Sequence, residues 1–187
     1  MKDEYAIVLD FLHSGHSADR RATPIAQVMG ETNFNLLEVE LKEDHSIKPL
    51  EKVYIGIEKR NVVKSIKKKL MFNELTGNAQ NEIEDALNQI IDKNPDKFIE
   101  FFNMSGPVTT RQHQLELLPG IGKKHMWEIL DERKKGKFIS FDDIKQRVKL
   151  LPNPKKSVVK RIVQELEGES KWYLFTTPPK GYGEDEF

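Results

Sequence analysis

The stretch Leu115-Glu116-Leu117-Leu118-Pro119-Gly120-Ile121-Gly122-Lys123-Lys124 decides how the chain reads. An apolar run ends in Pro-Gly-Ile-Gly and resumes as a helix that opens on two lysines. Ahead of it, Gln112 to Leu118 reads as a short helix, with Thr109 or Thr110 as its cap. Behind it, Met126, Ile129, Leu130 and Arg133 fall on one helical face. The glycines carry no Cβ to keep an anion away from their N–H groups. The helix that starts beyond them points its partially positive end the same way. A nucleic-acid phosphate is the obvious anion.

These residues resemble the helix-hairpin-helix motif, a sequence-nonspecific nucleic-acid-binding element of many repair and replication proteins. The match consists of the hydrophobic Leu118, the turn Pro119-Gly120-Ile121-Gly122, the pair Lys123-Lys124 and an apolar helix. The resemblance implies phosphate contacts at Gly120, Gly122, Lys123 and Lys124, with Pro119 and Ile121 shaping the turn and Ile121 plugging the core. It also implies that a monovalent cation can sit among the hairpin carbonyls; no other cofactor is indicated. The competing reading is a plain helical hairpin that only packs or only binds protein. The segment Lys149-Leu150-Leu151-Pro152-Asn153-Pro154-Lys155-Lys156 echoes the first. Proline has no N–H to offer, so this degenerate second hairpin reads as mainly structural. Its phosphate affinity rests on Lys155, Lys156, Lys160 and Arg161.

At 187 residues, 37% hydrophobic and 32% charged, the chain has room for one large or two small domains. Cysteine is absent, which excludes disulfides, thiolate metal sites and cysteine nucleophiles. No run approaches the ~20 apolar residues of a membrane span. Asp3, Glu4 and Asp10 around the first apolar run are unlike a signal peptide. A soluble, cytoplasmic protein with no membrane partner is expected. The net charge is zero, yet residues 73–106 carry −5 and residues 107–167 carry +6, so the basic block coincides with the hairpin motif.

Apolar, β-prone runs at Tyr5–Phe11, Ile25–Met29, Phe34–Leu41 and Val53–Ile57, with Arg60–Ile66 as a further candidate, give four or five short strands and make residues 1–72 a small β-barrel, OB-like by strand number and context. Lys59 to Lys69 holds six basic residues and no acid. Lys67, Lys68 and Lys69 read either as a phosphate-facing strand edge or as charge that blocks strand addition. His13, His16 and Asp19 lack a third rigid ligand and read as a solvated loop with Arg20 and Arg21. Residues 73–106 form acidic connecting helices: Ile83, Ala86, Leu87, Ile90 and Ile91 repeat at helical spacing, and Pro95 opens a second helix lined by Phe98, Ile99, Phe101 and Phe102. Residues 107–167 form the paired helix-hairpin-helix domain, with Ser140 capping a helix that carries Asp142 and Asp143. Residues 168–187 hold the aromatic segment Trp172-Tyr173-Leu174-Phe175, read as docking on the protein, and a mobile tail. The fold class is therefore α+β in two domains, a β-barrel followed by an all-α domain.

Three functions compete. The first is non-catalytic, sequence-independent binding of RNA or DNA backbone. The second is a nuclease or glycosylase, for which no acidic metal cluster, nucleotide loop or nucleophile–base pattern is present. The third is a scaffold for a protein partner. Taken whole, the layout also resembles an uncharacterised archaeal family, domain of unknown function 655. That resemblance implies a β-barrel joined to a helix-hairpin-helix domain and a role in nucleic-acid binding, and it transfers no catalytic residue.

Overall fold

The computed structural model describes residues 3–15, 23–43 and 45–178. His16, Asp19, Arg20, Arg21 and residues 179–187 of the expected tail lie outside them. The chain divides into two compact units, residues 1–87 with 165–187, and residues 88–164.

The first unit is built on five antiparallel strands in the order β4-β1-β2-β3-β5. They are β1 (Tyr5–Leu12), β2 (Ile25–Gly30), β3 (Leu36–Leu41), β4 (Lys52–Tyr54) and β5 (Val63–Lys69). The central strand β2 is buried along its whole length, which is why Ile25-Ala-Gln-Val-Met reads as a nearly continuous apolar run rather than an alternating one. Alternate residues fill one face: Ala6 and Val8, Ala26 and Val28, Val39 and Leu41, then Val53 and Val63. Register shifts between Val8 and Asp10 in β1 and at two places in β5, where Lys67 and Lys64 are the extra residues, bend the sheet, because each extra residue adds local twist. The result is a curled half-barrel; β4 and β5 are its edges, with no ladder between them among the described residues.

The other face of β2 carries Gln27, which is fully buried. Its amide donates to the Glu74 carbonyl at 3.3 Å and accepts from the Thr76 amide at 2.9 Å. Thr76 caps α1 (Gly77–Lys93) through its hydroxyl and donates to Asp10 at 2.6 Å. A buried polar side chain thus fixes where α1 begins. The aromatic segment docks in this unit without forming a strand. The Glu165 carboxylate, 2% exposed, accepts from the amides of Leu174, Phe175 and Thr176 at 2.7–3.0 Å.

The second unit begins within α1 and continues through α2 (Asp96–Met104), a two-stranded hairpin of β6 (Pro107–Thr109) and β7 (Gln112–His113), α3 (Lys123–Lys135), α4 (Phe141–Arg147) and the greater part of α5 (Pro154–Glu167). The expected helix over Gln112–Leu118 does not form. Pro107–Thr109 pairs with Gln112–His113, and only Gln114–Leu117 coils, as a 3-10 turn. The β-branched Val108-Thr109-Thr110 run favours extended backbone. Gln114 then ties itself back to Gly106, its amide donating to the Gly106 carbonyl at 2.9 Å and its side chain accepting from the Gly106 amide at 2.9 Å. His113 and Glu116 cap the turn reciprocally, His113 Nδ1 accepting from Leu115 and Glu116 from the His113 amide. Ser140 caps α4 by accepting from the Asp143 amide at 2.9 Å, and Asp143 returns the bond to Ile139.

Candidate nucleic-acid interface

Leu118 and Ile121, 1% and 3% exposed, anchor the loop from below. The Ile121 amide is engaged, donating to the Leu118 carbonyl at 3.0 Å. Gly120 and Gly122 between and beyond them are exposed. Gly120 has φ +86°, and a Cβ there would stand 3.1 Å from Pro152 Cγ. Its glycine is dictated by conformation and by packing. Gly122 differs: its φ of −89° suits any residue, and a Cβ would meet nothing within 4 Å. It is the N-cap of α3 and offers no capping side chain. The amides of Gly120, Gly122, Lys123 and Lys124 have no acceptor among the described residues. A helix that starts without a cap leaves its first donors to solvent or to a ligand.

The contact between the Gly120 backbone and Pro152 sets the second loop beside the first. There Asn153 caps α5, its side chain accepting from the Lys156 amide at 3.1 Å, and Pro154 supplies no donor. Leu150, at φ +60°, is 87% exposed. Arg161, 7% exposed, donates to the Leu117 carbonyl at 3.3 Å; it holds the 3-10 turn rather than facing solvent.

Much of the basic block is neutralised within the unit. Lys134, Lys135 and Lys137 pair with Asp131, Glu132 and Glu100 at 2.8, 2.5 and 3.4 Å. Arg133 donates to the Phe102 and Ser105 carbonyls at the end of α2. Arg147 donates to the carbonyls of Glu132, Gly136 and Lys137 and lies 4.4 Å over the Phe138 ring. Lys155 is tied to Asp92 at 2.6 Å. Lys124 approaches Glu128 only to 4.0 Å. Lys123, Lys149, Lys156 and Lys160 have no acidic partner among the described residues. The cations left free therefore include one or more at each of the two loops.

Lys67, Lys68 and Lys69 belong to β5, in the first unit. Lys67 and Lys64 share the Glu40 carboxylate at 2.7 and 2.6 Å, and their hydrogen bonds hold its pKa down at about 2. Lys68 pairs with Glu74 at 2.9 Å. Lys69 carries no acidic partner among the described residues.

Beside the first loop, the β6–β7 hairpin and α3 enclose an open groove of about 410 Å³. Lys123, Met126, Trp127 and Leu130 line it from one helical face, and Trp127 stands 59% exposed. The apolar spacing of the helix singles out Met126, Ile129 and Leu130 and passes over Trp127. The available signal was an indole four residues after a lysine, at a position that hydrophobic periodicity does not need. His113 also lines the groove; burial first, then Arg133, push its imidazole below its usual value. Among the described residues no group of three His, Asp or Glu side chains could hold a metal ion, and no helix is long and apolar enough to cross a membrane.

The fold and the loop define an α+β protein with a curled five-stranded antiparallel sheet and a helical unit whose first loop presents unengaged amides beside Lys123, which has no acidic partner among the described residues. The chain belongs to the family described as "Protein of unknown function (DUF655)", whose model matches residues 2–177. It is 39% identical over 181 residues to "Uncharacterized protein MJ0038" of Methanocaldococcus jannaschii, covering 96% of this chain and 82% of that protein. It is also similar to the crystal structure of Af1531 from Archaeoglobus fulgidus, with a TM-score of 0.87 and 46% identity, over 94% of this chain and 100% of that one.

Proposed function

We propose that this chain is a non-catalytic binder of nucleic-acid backbone, gripping phosphates at the Gly120–Lys124 loop. The supporting observation is the set of unengaged amides at Gly120, Gly122, Lys123 and Lys124, beside a lysine that no carboxylate neutralises. Backbone donors at a helix start match an anionic oxygen without reading a base. In this reading the two abutting loops are a pair of helix-hairpin-helix elements, the leading helix of the first being reduced to the 3-10 turn. The second loop, capped by its own Asn153, supports the first and adds Lys156. The curled sheet is read as an OB-like barrel left open between β4 and β5.

The test is a binding isotherm for labelled RNA and DNA at several salt concentrations, for the parent and for Lys123→Glu/Lys124→Glu. Each phosphate-paired lysine contributes about 0.7–0.9 to the slope of log K against log salt. The double variant should bind more weakly and with a slope shallower by roughly 1.5. Unchanged affinity and slope would remove the loop from the interface and favour the scaffold reading.

A further inference from the structure

The groove beside the loop carries a feature that phosphate binding alone leaves unused. Met126 and Leu130 form an apolar floor, and Trp127, 59% exposed, lines the groove from the same face of α3. The indole N–H has no acceptor among the described residues. Core packing does not require the ring outside; Met126 and Ile129 already fill the buried side of the helix. Lys123 lines the groove from the first turn of α3, and Arg111 lines it from the tip of the β6–β7 hairpin, its amide held by Thr109 Oγ1 at 3.2 Å. Neither cation has an acidic partner among the described residues. Glu116, the groove's carboxylate, is engaged by the His113 amide at 2.9 Å. The volume, about 410 Å³, falls within the ~300–1,000 Å³ of small-ligand sites.

We propose that this groove holds one unpaired nucleotide of the bound strand, its base stacked on Trp127 and its flanking phosphates met by Lys123 and Arg111. The proposal rests on the nucleic-acid reading above and adds to it a preference for single-stranded or locally unpaired substrate. A π-face with an apolar floor and two cations, one from the helix and one from the hairpin, suits a base between two phosphates, because stacking tolerates any base and the cations follow the backbone. A base held in a duplex cannot reach an indole that lies between a hairpin and a helix without leaving its partner.

A Trp172→Phe background leaves Trp127 as the single indole of the two in the chain. Short oligo-dT, short oligo-rU and a blunt duplex of equal length are titrated against it, reading indole fluorescence and the anisotropy of a label on the nucleic acid. Quenching by the single strands, with tighter binding than to the duplex, is the expected result. The dT and rU arms distinguish a DNA from an RNA ligand. Trp127→Ala should weaken strand binding about 5- to 150-fold, the equivalent of ~1–3 kcal/mol for one stacked base, and leave duplex binding unchanged. Arg111→Glu, at an exposed hairpin tip, should also weaken strand binding; melting curves establish that both variants fold. If strand and duplex bind equally, lose affinity with Lys123→Glu/Lys124→Glu, and leave Trp127 emission and the Trp127→Ala affinity unchanged, the groove proposal is overturned while the loop reading stands. If no oligonucleotide binds at all, both are overturned.

Discussion

Replacing Gly122 by serine separates the fold from the proposed function. Gly122 is the N-cap of α3, with φ −89° and ψ 179°, and a Cβ meets nothing within 4 Å. Serine adopts that backbone without strain, and its hydroxyl can accept from the free first-turn amides of α3. Serine is preferred over glycine at an N-cap by a few tenths of a kcal/mol, about 0.3, so the melting temperature should hold or rise slightly. Binding should move the other way. The hydroxyl occupies donors that a phosphate would use, and losing one hydrogen bond to a charged group costs ~1.5–3 kcal/mol, or roughly 10- to 150-fold in affinity. The assay pairs thermal melts with anisotropy titrations of a labelled oligonucleotide at fixed salt. A variant that melts normally and binds as tightly as the parent would refute the idea that these amides hold phosphate. A variant that melts far below the parent would refute the loop geometry.

Gly120→Ala should behave in the opposite way, destabilising the chain by ~1–3 kcal/mol. It forces alanine to φ +86° and places a Cβ 3.1 Å from Pro152 Cγ, which a lowered urea midpoint would register. The Glu40 carboxyl gives a pH prediction. Lys64 and Lys67 hold its folded pKa at about 2 against an ordinary 4.5, so on acidification the unfolded chain takes up this proton first. Its stabilising contribution is complete above pH 4.5 and is lost as the pH falls from there to about 2. Urea midpoints of Glu40→Gln should therefore vary less across that window than the parent's, and parallel curves would contradict the assignment.

Residue spacing located the regular elements well where burial on one face decides them. Ile83, Ala86, Leu87, Ile90 and Ile91 are all buried, as their period requires. The five apolar runs became five strands of one sheet. The segment before the loop resembles a helix in sequence because Gln112 to Leu118 contains good helix formers. Its conformation is set instead by Gln114 folding back onto Gly106, a contact no local pattern announces. The lysines of β5 look like a free basic edge in sequence. Their neutralisation depends on the β3–β5 register, which sets Glu40 opposite Ser65 and within reach of Lys64 and Lys67. Arg133, Arg147 and Arg161 are likewise held by contacts that spacing does not reveal, donating to carbonyls far along the chain. Local glycine and proline chemistry was legible at Gly120. The exposure of Trp127 was not, because it depends on how the β6–β7 hairpin and α3 together line the groove.

The most direct test follows the backbone amides themselves. Uniformly 15N-labelled protein is titrated with a short oligonucleotide, and the N–H resonances of Gly120, Gly122, Lys123 and Lys124 are tracked. The account predicts that these four move the furthest, and that their shifts shrink together as salt is raised. Saturated binding in which those four resonances stay in place while others move would contradict it.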